Sequence, residues 1–99
     1  PVPLGINVMK DSFGLETIRK FDEFLQESIQ FGLNHVDDAM EYAMEYGRGK
    51  PRDLIEKFVK MYVNNVTVNM GESGEKSIRK FFEMAIQKNL VQKFNLKIA

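Results

Sequence analysis

The sequence predicts a mostly α-helical fold, with one N-terminal strand followed by four helices. Three observations carry this reading. Val2, Leu4, Ile6 and Val8 alternate with Pro3, Gly5, Asn7 and Met9, the period of an extended chain with one aliphatic face. From Leu15 onward apolar residues recur three and four apart, the period of a helix with one buried stripe. Between these stretches, Gly47-Arg48-Gly49-Lys50-Pro51 and the pair Asn64-Asn65 supply the residues at which helices stop.

The strand covers Pro1 to Met9. Pro3 has no N–H for a ladder and assigns that end to a sheet edge or a strand entry, while Gly5 lets a ligand or another backbone approach. Lys10 to Gly14 forms the exit loop. The first helix spans Leu15 to Asn34, with Ile18, Phe21, Leu25, Ser28 or Ile29, and Gly32 inward and Glu16, Arg19, Lys20, Glu23, Glu27 and Gln30 in solvent. The second, Val36 to Tyr46, turns Ala39, Met40, Ala43 and Met44 inward and places Asp37 and Asp38 at the positive end of its dipole. The third runs from Pro51, at its first position, to Asn64. Val66, Val68 and Met70 alternate with Thr67 and Asn69 as a short extended piece. A fourth helix from Met70 to Leu90 is opened by Asn69 with Glu72 as its capping-box partner. It buries Ile78, Phe81, Phe82, Ala85, Ile86 and Leu90, with Gly74 as a point of close approach by another backbone. The tail beyond Leu90 loses its period and frays.

A chain of 99 residues fits a single small domain. Its 14 cations balance 14 anions, which argues against broad electrostatic attraction to nucleic acid or to an anionic membrane. The absence of Cys removes disulfides, thiolate metal sites and cysteine nucleophiles, and is compatible with the cytoplasm. No apolar run approaches the ~18 residues of a membrane span, and no signal peptide opens the chain. A start at Pro-Val-Pro-Leu, inside a strand and without Met, reads as a piece cut from something longer.

The candidate chemical groups are few. His35 stands just before Val36 and reads as a helix cap, since a metal site needs about three or four ligands from separate turns and only adjacent acids follow it. Gly47 to Arg52 could hold a phosphate or lie in a DNA minor groove, but Asp53 and Glu56 follow at once and a helix-to-helix turn is the better reading. Gly71 and Gly74 lack the further glycines of a phosphate loop. Met40, Met44, Met61, Met70 and Met84 read as core filler, and Asp37 and Asp38 point different ways on a helix. The residues therefore offer no catalytic group, no metal ligand and no cofactor site.

Three stretches in succession carry a resemblance: Pro-Val-Pro-Leu-Gly-Ile-Asn-Val at Pro1 to Val8, Phe-Gly-Leu-Asn-His-Val-Asp-Asp-Ala-Met-Glu-Tyr-Ala at Phe31 to Ala43, and Met-Tyr-Val-Asn-Asn-Val-Thr-Val-Asn-Met-Gly-Glu-Ser-Gly at Met61 to Gly74. Together they resemble the C-terminal third of the 1,4-dihydroxy-6-naphthoate synthase family, which acts in the futalosine route to menaquinone. Its sister, chorismate dehydratase, shares a two-lobed, periplasmic-binding-protein-like α/β fold.

The resemblance implies that residues 1–99 are the C-terminal part of the larger lobe, with a small-molecule substrate held between lobes in the full-length protein. It implies a cytoplasmic, cofactor-independent lyase acting on cyclic dehypoxanthinyl futalosine, whose catalytic histidine lies upstream, so that His35 does not take that role. Pro3, Leu4, Gly5 and Asn7 match positions that could line the substrate pocket. The alternative is a solute-binding protein of the same fold that captures a small anionic ligand. In either case the isolated chain is expected to be inactive and to pair its N-terminal strand with the missing N-terminal segment or with another copy.

Overall fold

The structure, a computed structural model, describes residue 2 and residues 4–99. Two compact units divide the chain, one of Pro1–Lys20 with Met70–Ala99 and one of Phe21–Asn69. Helix α1, Leu15–Asn34, contributes to both. The remaining helices are α2 (Val36–Met44), α3 (Arg52–Tyr62), α4 (Asn65–Val68) and α5 (Gly71–Gln87).

The described residues contain no strand, which overturns both the N-terminal strand and the α/β fold expected from the sequence. Residues 4–10 have no regular structure and lead into a 3-10 turn at Asp11–Phe13. The period-two pattern is real, but a strand also needs a neighbour to take its backbone donors and acceptors. The only other stretch with that pattern, Val66 to Met70, is largely consumed by α4.

Why α4 forms is visible in its hydrogen bonds. Asn64 Oδ1 accepts from the Val66 amide at 3.0 Å, and the Asn64 amide donates to Thr67 Oγ1 at 3.1 Å, a reciprocal capping box. Thr67 Oγ1 in turn donates to the Tyr62 carbonyl at 2.8 Å. These local bonds outweigh the β-branched preference of Val66, Thr67 and Val68. They also end α3 at Tyr62 rather than Asn64, with Val63 extended.

In the unit of residues 21–69, α1 half-buries Leu25, Ile29 and Gly32 as the spacing predicts, with Ile29 rather than Ser28 turned inward and Leu33 half-buried as well, although Phe21 is exposed. α2 buries Met40, which is only 2% exposed. This helix ends at Met44 rather than Tyr46, because Tyr46 and Gly47 donate to the carbonyls of Ala43 and Met44, three residues back, and tighten the chain into a turn. Gly47 is buried there, where a Cβ would stand 3.3 Å from Ile55 Cγ1 and from the Met44 carbonyl. Pro51 is the N-cap of α3 and not its first helical residue; its ψ of 145° is extended, and its carbonyl accepts from Ile55.

In the other unit, α5 begins at Gly71 with Met70 as its N-cap, in place of the expected Asn69 cap. Glu72 pairs with Lys76 at 2.6 Å rather than reaching back. The helix stops at Gln87, short of Leu90, because Asn89 adopts the left-handed region at φ 56°. The Leu90 amide then bonds the Ala85 carbonyl and the Asn89 amide that of Ile86, a Schellman ending. Ile78 is buried at 6% exposure, whereas Phe81 is 48% exposed, Phe82 half-buried and Leu90 exposed beyond the end of the helix, so the expected burial of these three does not hold. The tail does not fray. Phe94 packs edge-on against Phe82 at 5.1 Å, Arg79 reaches the Leu96 carbonyl at 3.4 Å, and Lys97 pairs with Asp11 at 2.7 Å.

Methionine as core filler holds for Met40, while Met61 and Met84 are exposed. Gly74 meets the side chain of Met70, with an added Cβ only 2.6 Å from Met70 Cβ, and not the backbone of another element.

Candidate functional site

Of the residues expected to line a pocket, Leu4, Gly5 and Asn7 lie in the irregular segment that precedes the 3-10 turn, and Pro3 lies outside the described residues. Leu4 is 81% exposed, and a Cβ built on Gly5 would meet nothing within 4 Å. Asn7 is exposed as well. The segment by itself can offer an aliphatic surface and free amides, which is a contact surface for a ligand rather than a reactive centre.

A groove of about 620 Å³ lies along one face of α5, lined by Val2, Lys76, Ser77, Lys80, Phe81 and Met84 among others. Two i,i+4 rows build it: Ser73, Ser77 and Phe81 form one, and Lys76, Lys80 and Met84 the other. The spacing was there to be read, but the polar members of both rows hid the groove inside an apparently solvated helix face. Its charges are already matched. Lys76 pairs with Glu72 at 2.6 Å and Lys80 with Glu83 at 3.1 Å, and the Ser77 hydroxyl donates to the Ser73 carbonyl at 2.9 Å.

His35 occupies the N-cap of α2, as expected. Its Nδ1 donates to the Phe31 carbonyl at 2.8 Å, and its ring stacks on that of Phe31. The glycine-rich stretch from Gly47 to Arg52 is the turn from α2 to α3, with Arg48 and Gly49 at positive φ and the Arg52 guanidinium paired to Asp37. Among the described residues, no three His, Asp or Glu side chains gather to hold a metal ion. No described helix is long and apolar enough to cross a membrane.

Local chemistry therefore leaves the assignment to the order of residues along the chain. The pattern of the family described as menaquinone biosynthesis matches residues 1–87. The chain belongs to the menaquinone biosynthesis family. The match ends on the last residue of α5, so every helix falls inside it. This menaquinone biosynthesis family member is similar to the 1,4-dihydroxy-6-naphtoate synthase of Thermus thermophilus, with 29% identity over 90 residues that make up 91% of this chain and 33% of the relative. It is also similar to the 1,4-dihydroxy-6-naphtoate synthase of Streptomyces coelicolor, at 24% identity over 91 residues, 92% of this chain and 32% of the relative. The chain spans about a third of the length of the curated relatives it matches. No solved structure matches it.

Proposed function

We propose that this chain serves as a segment of a 1,4-dihydroxy-6-naphthoate synthase, a lyase that converts cyclic dehypoxanthinyl futalosine to 1,4-dihydroxy-6-naphthoate. The observation that carries the reading is the agreement of two relatives from different organisms, both named for that synthase, over nine-tenths of this chain. The family match supports the same pathway. In this reading the chain contributes a helical scaffold and a contact surface, with Leu4, Gly5 and Asn7 lining the substrate pocket through their exposed edge. Acid and base come from other residues in this reading, because Leu4, Gly5 and Asn7 carry no titratable side chain.

The test is a chimaera of the Thermus relative in which this chain replaces the matched 90 residues. Turnover of cyclic dehypoxanthinyl futalosine to the naphthoate, followed by chromatography, is the expected outcome. Gly5→Leu in the same chimaera should raise KM by filling the open space beside the pocket. A chimaera that folds like the relative by circular dichroism yet neither binds nor turns over the substrate would falsify the reading.

A further inference from the structure

Leu4, Gly5 and Asn7 have no regular structure of their own, so the chain on either side of them fixes their place. Upstream, Val2 lines the groove on α5 together with Phe81 and Met84. Downstream, Asp11 opens the 3-10 turn. Its carbonyl accepts from the Gly14 amide at 3.1 Å, and the Gly14 carbonyl accepts from Ile18 in the first turn of α1, also at 3.1 Å. The four residues from Asn7 to Asp11 reach at most ~14 Å, so whatever holds the turn also limits where Asn7 can lie.

The opposite end of the sequence holds that turn. Lys97 Nζ donates to Asp11 Oδ2 at 2.7 Å, across 86 residues of chain and within the compact unit of Pro1–Lys20 with Met70–Ala99. The tail that carries Lys97 is anchored to α5 at two points, Phe94 edge-on against Phe82 at 5.1 Å and the Arg79 guanidinium on the Leu96 carbonyl at 3.4 Å. Arg79 is fixed in turn by Glu75, whose Oε1 accepts from its Nε at 3.0 Å and its Nη2 at 2.8 Å. Leu96 and Ile98 are half-buried and Lys97 between them is exposed, so the lysine projects from an anchored strip. These tail residues lie beyond residues 1–87, which the family pattern covers. Both side chains of the pair are largely in solvent, which makes the pair a weak contributor to overall stability. Its effect falls on position.

We propose that Lys97 is a positioning residue for substrate binding: through Asp11 it holds the 3-10 turn against the α5 unit and so places Leu4, Gly5 and Asn7. The role in binding rests on the synthase reading, and the placement of the segment rests on contacts within one compact unit.

In the Thermus chimaera, Lys97→Ala should raise KM about two- to fivefold, the range of an exposed ion pair, with kcat unchanged. Lys97→Arg should keep the original KM, and Asp11→Lys combined with Lys97→Asp should restore it. Lys93→Ala, which removes a charge from the same tail, should leave KM alone. The chain has no Cys, so Val8→Cys with Lys88→Cys accepts two spin labels on the whole chain by itself. The spread of the distance between the labels should widen in Lys97→Ala and stay as it is in Lys93→Ala. An active chimaera whose KM is the same with Lys or Ala at position 97 overturns the proposal, and so does a label distance that does not widen. A chimaera inactive before any substitution counts against the synthase reading alone, and the label distances then decide whether Lys97 places the segment.

Discussion

The imidazole of His35 lies flat on the ring of Phe31, with centroids 3.9 Å apart, and its Nδ1 donates to the Phe31 carbonyl at 2.8 Å. A carbonyl can only accept, so the proton resides on Nδ1, and the lone His of the chain is used to close the C-terminal turn of α1. Removing it with His35→Ala should cost about 1 kcal/mol in a denaturant melt, the ordinary net worth of such a bond. His35→Asn should recover most of that loss, because Asn is a strong N-cap for α2. Neither change should alter kcat of the chimaeric synthase. A drop in kcat without a drop in stability would move His35 from architecture to chemistry.

A second exposed pair carries a pH signature. The hydroxyls of Tyr42 and Tyr46 lie 3.2 Å apart, one turn from each other. The bond to Tyr42, with a smaller effect of lost solvent, holds the Tyr46 hydroxyl above its ordinary 10.0. A raised value means that the folded chain favours the neutral hydroxyl. Its stabilising effect is complete below about 10 and is lost as pH rises through the folded value. Tyr42→Phe should therefore bring the Tyr46 titration back down toward 10, read from tyrosinate absorbance in a chain with three Tyr and no Trp. An unchanged titration would show that the hydroxyls do not bond in solution.

Helix α1 was legible to the residue because its pattern runs over twenty positions without Pro and ends beside an N-cap. Shorter signals failed where local hydrogen bonds competed with them. Val66-Thr67-Val68 has strand composition, but Asn64 and Thr67 tie it into a helical turn. Asn89, which reads as an ordinary polar helix residue, ends α5 by taking a left-handed conformation. The N-terminal row shows the other kind of failure: alternation at Leu4, Ile6 and Val8 states which face is apolar but not whether a partner is present. The candidate site was the least legible part. Leu4, Gly5 and Asn7 carry no chemistry of their own, and only the order of whole stretches linked them to a family.

The pairing of Phe82 with Phe94 ties an irregular tail to α5 and is open to a double-mutant cycle. Phe82→Ala should cost about 2 kcal/mol, below the range for a fully buried ring because Phe82 is half-buried. Phe81→Ala should cost less, since nearly half of that side chain is already in water. The edge-on geometry predicts a coupling between Phe82→Ala and Phe94→Ala of about 0.5–1.5 kcal/mol. Strict additivity would mean that the tail is held by Lys97–Asp11 and Arg79 without the rings.

Gly74 sets two effects of opposite sign against each other. Placing Ala there should gain about 1 kcal/mol of helix propensity in α5. The new Cβ, however, would stand 2.6 Å from Met70 Cβ and 3.1 Å from Met70 Cγ. The nearer atom is anchored to the backbone at the N-cap, so rotating the thioether away does not relieve the contact; the first turn of α5 must shift, at a cost of about 1–3 kcal/mol. Gly74→Ala is therefore expected to destabilise by about 1 kcal/mol net in a thermal or denaturant melt. Met70→Gly deletes the opposing Cβ, and in that background Gly74→Ala should become stabilising. A cycle in which Gly74→Ala has the same effect with Met or Gly at position 70 would show that the first turn of α5 yields freely and that Gly74 is not needed for its packing.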